Sequence, residues 1–215
     1  MYKHFIKRLF DIVFSLIGLP FFCLFFIILA PIIYLTDRGP IFYNAPRLGK
    51  DGKVFKMYKF RSMKVNAPDI RNADGSTYNG ENDPRVTKIG KIMRKTSLDE
   101  TPQILNVLKG DMSLVGPRAF LGTTRKAYSE MDEKRQKRLT VRPGITGYSQ
   151  AYYRNSIGLE EKIEYDCYYV DHISFMMDLK ILFQTAASVL KRENIYVESG
   201  KKTDEAAQRQ KEEVR

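Results

Sequence analysis

Two adjacent carboxylates, Asp99 and Glu100, stand in the stretch Lys95-Thr96-Ser97-Leu98-Asp99-Glu100-Thr101-Pro102 and are the residues best placed to do chemistry. A basic run (Lys88, Lys91, Arg94, Lys95) precedes them, and an apolar helical pattern running toward Leu108 follows. Thr101 then Pro102 fits an N-cap with proline at the first helical position, and Gly110 is a natural stop. Ser97 with Glu100 three residues on is the alternative start, a capping box. Either start sets the carboxylates beside a helix N-terminus, where the macrodipole and unpaired amides keep them ionised and favour a bound phosphate. Capping boxes are common, so the chemical reading depends on what surrounds this pair.

The chain of 215 residues is long enough for one core plus an extra element, and its hydrophobic content of 43% can fill that core. Lys and Arg number 36 against 25 Asp and Glu, a net charge of +11, which suits nucleic acid, anionic lipid or a phosphorylated substrate. Cys23 lies in an apolar run and Cys167 in the polar body, so no disulfide is expected and a reducing compartment is compatible. With only His4 and His172 a histidine-based triad has little material, and no zinc-ligand spacing, Walker A or GxGxxG pattern is present.

The run from Ile12 to Thr36 contains no charged residue and is long enough to enter a bilayer. It is too long for a signal peptide and has no small-residue cleavage site after it. Lys3, Lys7 and Arg8 precede it, and Arg38, Arg47, Lys50, Lys53, Lys56, Lys59 and Arg61 follow. Positive charge on both flanks assigns no orientation. It suits a helix that enters and turns back, with Gly18, Pro20 and Pro31 as breakers, and it also permits a kinked span.

Beyond it, Ile41-Phe42-Tyr43 and Val54 to Phe60 read as strands joined around Lys50-Asp51-Gly52-Lys53, with Phe55, Met57 or Tyr58, and Phe60 facing a core. Asn66 to Pro84 is a polar loop of lid-like length. Helical patterns follow at Arg85 to Arg94 (apolar face Val86, Ile89, Ile92, Met93), Met131 to Arg138, Leu159 to Val170 and Met176 to Val189. Between them, Val115-Gly116-Pro117-Arg118 and Val141-Arg142-Pro143-Gly144-Ile145-Thr146-Gly147 are Gly/Pro corners, each presenting an arginine able to grip two phosphate oxygens. From Glu198 the tail is polar and expected to be disordered or weakly helical.

Several ordered motifs now carry a resemblance. They are Lys7-Arg8-Leu9-Phe10-Asp11, Tyr58-Lys59-Phe60-Arg61-Ser62-Met63, Ser97-Leu98-Asp99-Glu100, Asn106 to Ser113, Val115 to Arg118, Val141 to Gly147 and Asp178-Leu179-Lys180. From Lys7 to about Lys191 the sequence resembles the bacterial sugar transferases, small monotopic polyprenyl-phosphate phosphoglycosyl transferases. The resemblance implies a mostly helical α+β fold. A re-entrant membrane helix (1–37) would precede a cytoplasmic catalytic domain with a small β-hairpin (38–197) and a charged tail (198–215). It implies transfer of a sugar-1-phosphate from a UDP-sugar to undecaprenyl phosphate, with release of UMP and a covalent phosphosugar-aspartyl intermediate. Asp99 would be the nucleophile and Glu100 a ligand of the Mg2+ the family requires. The setting would be the cytoplasmic face of the bacterial inner membrane, in exopolysaccharide, lipopolysaccharide or glycoprotein glycan assembly.

The residues agree with that chemistry. A carboxylate attacks an anionic diphosphate only when cations neutralise the phosphate. Lys59, Arg61, Arg94, Arg118 and Arg142 are the candidate substrate-binding residues, and magnesium binds through one or two carboxylates plus substrate phosphate. The resemblance also favours the re-entrant geometry. Members of the family often break the membrane helix with Ser-Pro; this chain has Phe22-Cys23-Leu24 there, which makes Pro20 the expected break. The other departures are Ala119 after Gly116-Pro117-Arg118 and Thr101-Pro102 after the dyad. The expected partners are therefore a UDP-sugar, undecaprenyl phosphate and membrane lipid, without nucleic acid. A membrane-anchored basic module that binds anionic lipid or nucleic acid is the rival class; it explains the charge but not carboxylates set among arginines.

Overall fold

Helix α1 (Lys7–Asp37) is apolar on every side, and its surface is divided between residues packed on protein and residues left exposed. Its Asp11, Ser15, Phe22, Leu29, Ala30 and Ile33 are buried, whereas Leu9, Phe14, Ile17, Phe21, Leu24, Ile27, Ile28 and Leu35 are exposed. The computed structural model describes residues 2–70, 78, 80, 82–121, 128–154 and 156–191. Among these, α1 is the one helix long and apolar enough to cross a membrane. Both Pro20 and Pro31 lie inside it, and Pro20 does not end it. Protein covers one side of the helix, and the other side is left apolar and exposed.

Both ends of α1 are fastened to the same globular body. At the start, Arg8 donates to the carbonyls of Val107 (2.6 Å) and Leu108 (3.0 Å), Asp11 Oδ1 accepts from Ser113 Oγ (3.0 Å) and the Leu114 amide (2.9 Å), and Lys7 pairs with Asp178. At the finish, Asp37 pairs with Arg61 (2.6 Å), whose guanidinium also donates to the carbonyls of Ile33, Pro40 and Met63. Along the middle, Phe22, Leu29 and Ile33 pack with Phe60 and Met93 into one apolar cluster. Phe22, Phe26, Phe42 and Phe60 stack with ring centroids 5.4–6.4 Å apart within it.

The hairpin predicted around Lys50-Asp51-Gly52 is present: β1 (Ala45–Leu48) pairs antiparallel with β2 (Val54–Met57) across a 3₁₀ turn, and β4 (Phe120–Leu121) adds to the other edge of β1. Phe55 and Met57 face inward as their alternation requires. The first strand starts later than its β-formers indicate, at Ala45, because Phe42 makes only an isolated bridge to Phe60. A second, parallel pair joins β3 (Ser113–Val115) to β5 (Gly144–Thr146). Gly116, Gly144 and Gly147 let these backbones meet; a Cβ on Gly144 would lie 2.1 Å from the Gly116 amide nitrogen.

The helices are α2 (Lys88–Thr96), α3 (Gln103–Lys109), α4 (Glu133–Arg138), α5 (Tyr148–Tyr152), α6 (Leu159–Asp171) and α7 (Phe175–Lys191). Thr87 and Asp132 cap α2 and α4 through their side chains, as such residues do. Ile92, predicted on the buried face of α2, is exposed, while Met93 is buried. The architecture is the expected mostly helical α+β one with a small sheet. Most of the Asn66–Pro84 loop and the tail from Glu198 lie outside the described residues.

Candidate active site

Asp99 and Glu100 lie in a single 3₁₀ turn, Leu98–Glu100, that links α2 to α3. Neither expected cap forms. Ser97 ends α2 in the left-handed conformation (φ 57°), and Thr101 Oγ1 donates back to the Leu98 carbonyl (2.8 Å) instead of accepting from a helix amide. Glu100 makes no capping box because its carboxylate is drawn to cations from two other segments. The dyad therefore precedes α3 by a turn, held by tertiary contacts.

The first of those segments is Tyr58-Lys59-Phe60. Asn106 of α3, fully buried, accepts from the Tyr58 amide (2.9 Å) and donates to the Lys56 carbonyl (2.8 Å), while the Phe60 amide donates to the Asp99 carbonyl (2.9 Å). Those bonds fix Lys59 over the dyad: its Nζ lies 2.8 Å from Asp99 Oδ2 and 3.3 Å from Glu100 Oε1. The second segment is the corner after β3. Gly116 donates to Thr146 O (2.8 Å) and Gly144 donates to Pro117 O (2.9 Å), and from this fixed backbone Arg118 reaches both Glu100 oxygens, at 2.7 and 3.4 Å.

Asp99 is only 2% exposed, so a charged oxygen is kept out of water beside one ammonium group. Burial works against ionising Glu100, but Arg118 and then Lys59 outweigh it and hold its carboxyl well below the usual carboxylate range. Burial likewise disfavours the Lys59 cation, yet Asp99 and Glu100 push its pKa above the ordinary lysine value. Arg118 is stabilised as a cation mainly by Glu100. Glu100, Lys59 and Arg118 are thus held in their charged forms around Asp99, and the two cations can exchange partners with an anionic substrate.

Of the other predicted ligands, Arg94 Nε donates to Ser62 Oγ (3.0 Å) and Arg142 Nε to Gly110 O (2.9 Å). The structure brings neither into hydrogen-bond contact with the dyad. Arg61 is 7% exposed and occupied with the end of α1, so it serves as an anchor there. Sequence reasoning gave no role to Lys7, Asp11 and Asp178, although they fall inside quoted motifs; a charged residue beside an apolar run was the available signal. Arg138 and Asp166 were missed because nothing local marks them: they meet across 28 residues.

For magnesium, the donor set is two adjacent carboxylates, and no cluster of three or more His, Cys, Asp or Glu occurs among the described residues. That set fits a hard ion which takes one or two carboxylates and completes its shell with phosphate oxygens and water.

The fold and site together define an α+β protein with an apolar anchoring helix and a cation-clamped acidic dyad, built to handle phosphate. The chain belongs to the bacterial sugar transferase family, whose sequence pattern matches residues 2–192. It is 43% identical over 190 residues to EpsL of Bacillus subtilis, described as an uncharacterized sugar transferase; 88% of this chain and 90% of that protein are covered. It is 39% identical over 211 residues to the undecaprenyl-phosphate galactose phosphotransferase of Salmonella typhimurium, covering 90% of this chain and 42% of that one. The UDP-glucose:undecaprenyl-phosphate glucose-1-phosphate transferase of Klebsiella pneumoniae is 40% identical over 184 residues, covering 83% of this chain and 39% of that one. The chain thus spans nearly all of the first relative and under half the length of the other two.

Proposed function

We propose that this chain is a phosphoglycosyl transferase that moves a sugar-1-phosphate from a UDP-sugar to a polyprenyl phosphate, undecaprenyl phosphate, releasing UMP. The observation that carries the reading is the buried Asp99 held against Lys59, with Glu100 beside it in the grip of Lys59 and Arg118. Donor phosphates arriving here offer Lys59 and Arg118 new anionic partners. An Asp99 carboxylate oxygen then attacks the phosphorus that bears the sugar. The new bond is Asp99 O–P, the broken one is the phosphoanhydride bond to the uridylyl group, and UMP leaves with the bridging oxygen. A phosphate oxygen of the polyprenyl phosphate next attacks the same phosphorus, the polyprenyl diphosphate sugar forms and the Asp99 carboxylate is restored.

Mg2+ bound at Glu100 would neutralise the donor phosphates. Lys59 orients Asp99, and the near-complete burial of Asp99 keeps water away from its acyl phosphate. Names of relatives include galactose and glucose, and a further one, from Aeromonas hydrophila, is an N-acetylgalactosaminephosphotransferase. The donor class is accordingly a UDP-hexose or UDP-N-acetylhexosamine, in exopolysaccharide or related glycan assembly. We place the domain on the cytoplasmic face of the inner membrane, with both flanks of α1 on that same face. The anchoring of both α1 ends to one body supports this.

The test is UMP release by purified protein with Mg2+, undecaprenyl phosphate and a panel of UDP-sugars. Release by the native chain and none by a folded Asp99→Asn variant is expected; turnover by that variant would remove Asp99 as nucleophile. Label from a sugar-phosphorylated donor should remain on the native protein when acceptor is omitted.

A further inference from the structure

Behind Arg118 lies a buried ion pair that the proposed reaction does not use. Arg138, at the end of α4, is 4% exposed and Asp166, on α6, is 1% exposed. One nitrogen of Arg138 donates both to Asp166 Oδ2 and to the Arg118 carbonyl (2.9 Å). The other Asp166 oxygen accepts from Ser149 Oγ on α5 (2.9 Å), and Ser149 is itself 2% exposed. The preceding carbonyl, of Pro117, is held by the Gly144 amide. Two consecutive carbonyls at the corner are thus pinned, one by β5 and one by a charge pair contributed by two helices.

A buried ion pair is a poor way to gain stability, because removing two charges from water costs about as much as their attraction returns. Burial raises the Asp166 pKa, against the opposing pull of Arg138, Ser149 and Lys162. Apolar side chains would fill this space without that cost. What apolar residues could not supply is a rigid charged donor aimed at the Arg118 carbonyl. Arg118 is the cation whose far end must reach Glu100; its long side chain is half exposed, and its backbone is held by a bridge to Gly144 on one side and by Arg138 at its carbonyl.

We infer that Asp166 and Arg138 are positioning residues: Asp166 orients the Arg138 guanidinium, which fixes the Arg118 backbone so that the Arg118 side chain is presented to the dyad and the donor phosphate. The inference rests on the phosphotransfer reading for its kinetic consequence only. Asp166→Asn keeps the shape and removes the charge. Arg138→Lys keeps a charge beside Asp166 but loses the planar, rigid guanidinium whose one nitrogen reaches both acceptors.

The experiment is a double-variant cycle on UMP release by the full chain, joined to NMR of protein labelled with 15N-arginine. Asp166→Asn should lower kcat roughly tenfold to a hundredfold, the scale of a misplacement near 1 Å, with the donor KM little changed. Arg138→Lys should fall in the same direction. In an Arg118→Ala background neither change should cost more than about twofold, since coupled residues act as one unit. Losses of the same size with and without Arg118 would overturn the inference, as would unchanged kcat in Asp166→Asn. The Arg118 side-chain N–H resonance, assigned with Arg118→Lys, should move or broaden in Asp166→Asn; an unaltered resonance overturns the inference. That readout needs no substrate. A native chain that releases no UMP from any donor would refute the reaction while leaving the resonance to decide this point. If Asp166→Asn does not fold, Arg138→Lys carries the same comparisons.

Discussion

At the residue scale the site is an exchange of ion pairs waiting for a competitor. Glu100 is held ionised by Arg118 and Lys59, and its depressed pKa links the site to folding. The stabilisation is present in full above the ordinary glutamate value of 4.5 and is lost as pH falls from there through the lower folded value. The native chain should therefore exceed Glu100→Gln in stability at neutral pH by roughly 2 kcal/mol, the scale of hydrogen bonds to charged groups. That gap should shrink steadily in thermal unfolding series taken below about pH 4. A gap independent of pH would show that the Glu100 charge contributes nothing to the fold. The dyad was legible in the sequence, because carboxylates among basic residues are unusual company; Lys59 and Arg118 are two of five candidate cations there, and only the fold shows that these two reach it. The local cap was not: Glu100 had two candidate partners, a helix amide and remote cations, and only the tertiary structure brings the remote ones within reach.

At the element scale, β3 ties the membrane helix to the site. Asp11 receives the Leu114 amide and the Ser113 hydroxyl on this strand, and the same strand runs on into Gly116-Pro117-Arg118. Asp11→Ala should strand that amide and cost about 1–3 kcal/mol, the desolvation of an unpaired buried group. Asp11→Asn, which keeps an acceptor, should cost less; a chain melting alike in all three forms would mean the contact is immaterial. Helices α6 and α7, the hairpin turn and the start of β2 followed from periodicity and turn chemistry, whereas β1 shares no residue with the Ile41-Phe42-Tyr43 run expected to form it. The parallel β3–β5 pair did not, since three-residue strands give too little alternation to read. The glycines that permit it were visible only as turn residues.

At the scale of the whole molecule, the question is where α1 lies. Lys3 and Arg38 flank it, both exposed, and both neighbourhoods bind the same domain. A span of the hydrocarbon, about 30 Å thick, would carry one flank to the far side. With Cys23 and Cys167 replaced by serine, single cysteines at positions 3 and 38 should both react with an impermeant thiol reagent in inside-out vesicles, and neither in right-side-out ones. Labelling from opposite sides would establish a span. Charge on both flanks hinted at this geometry, but sequence offers no view of Asp37 meeting Arg61 or of Lys7 meeting Asp178. Pro20, the expected break, sits within a continuous helix.

The apolar cluster of Phe22, Leu29, Ile33, Phe60 and Met93 has a practical corollary. Three of its five buried members belong to the helix that faces lipid, so the catalytic body has no complete interior without it. A chimera carrying an unrelated tether in place of α1 would be delivered to the bilayer and still arrive hollow.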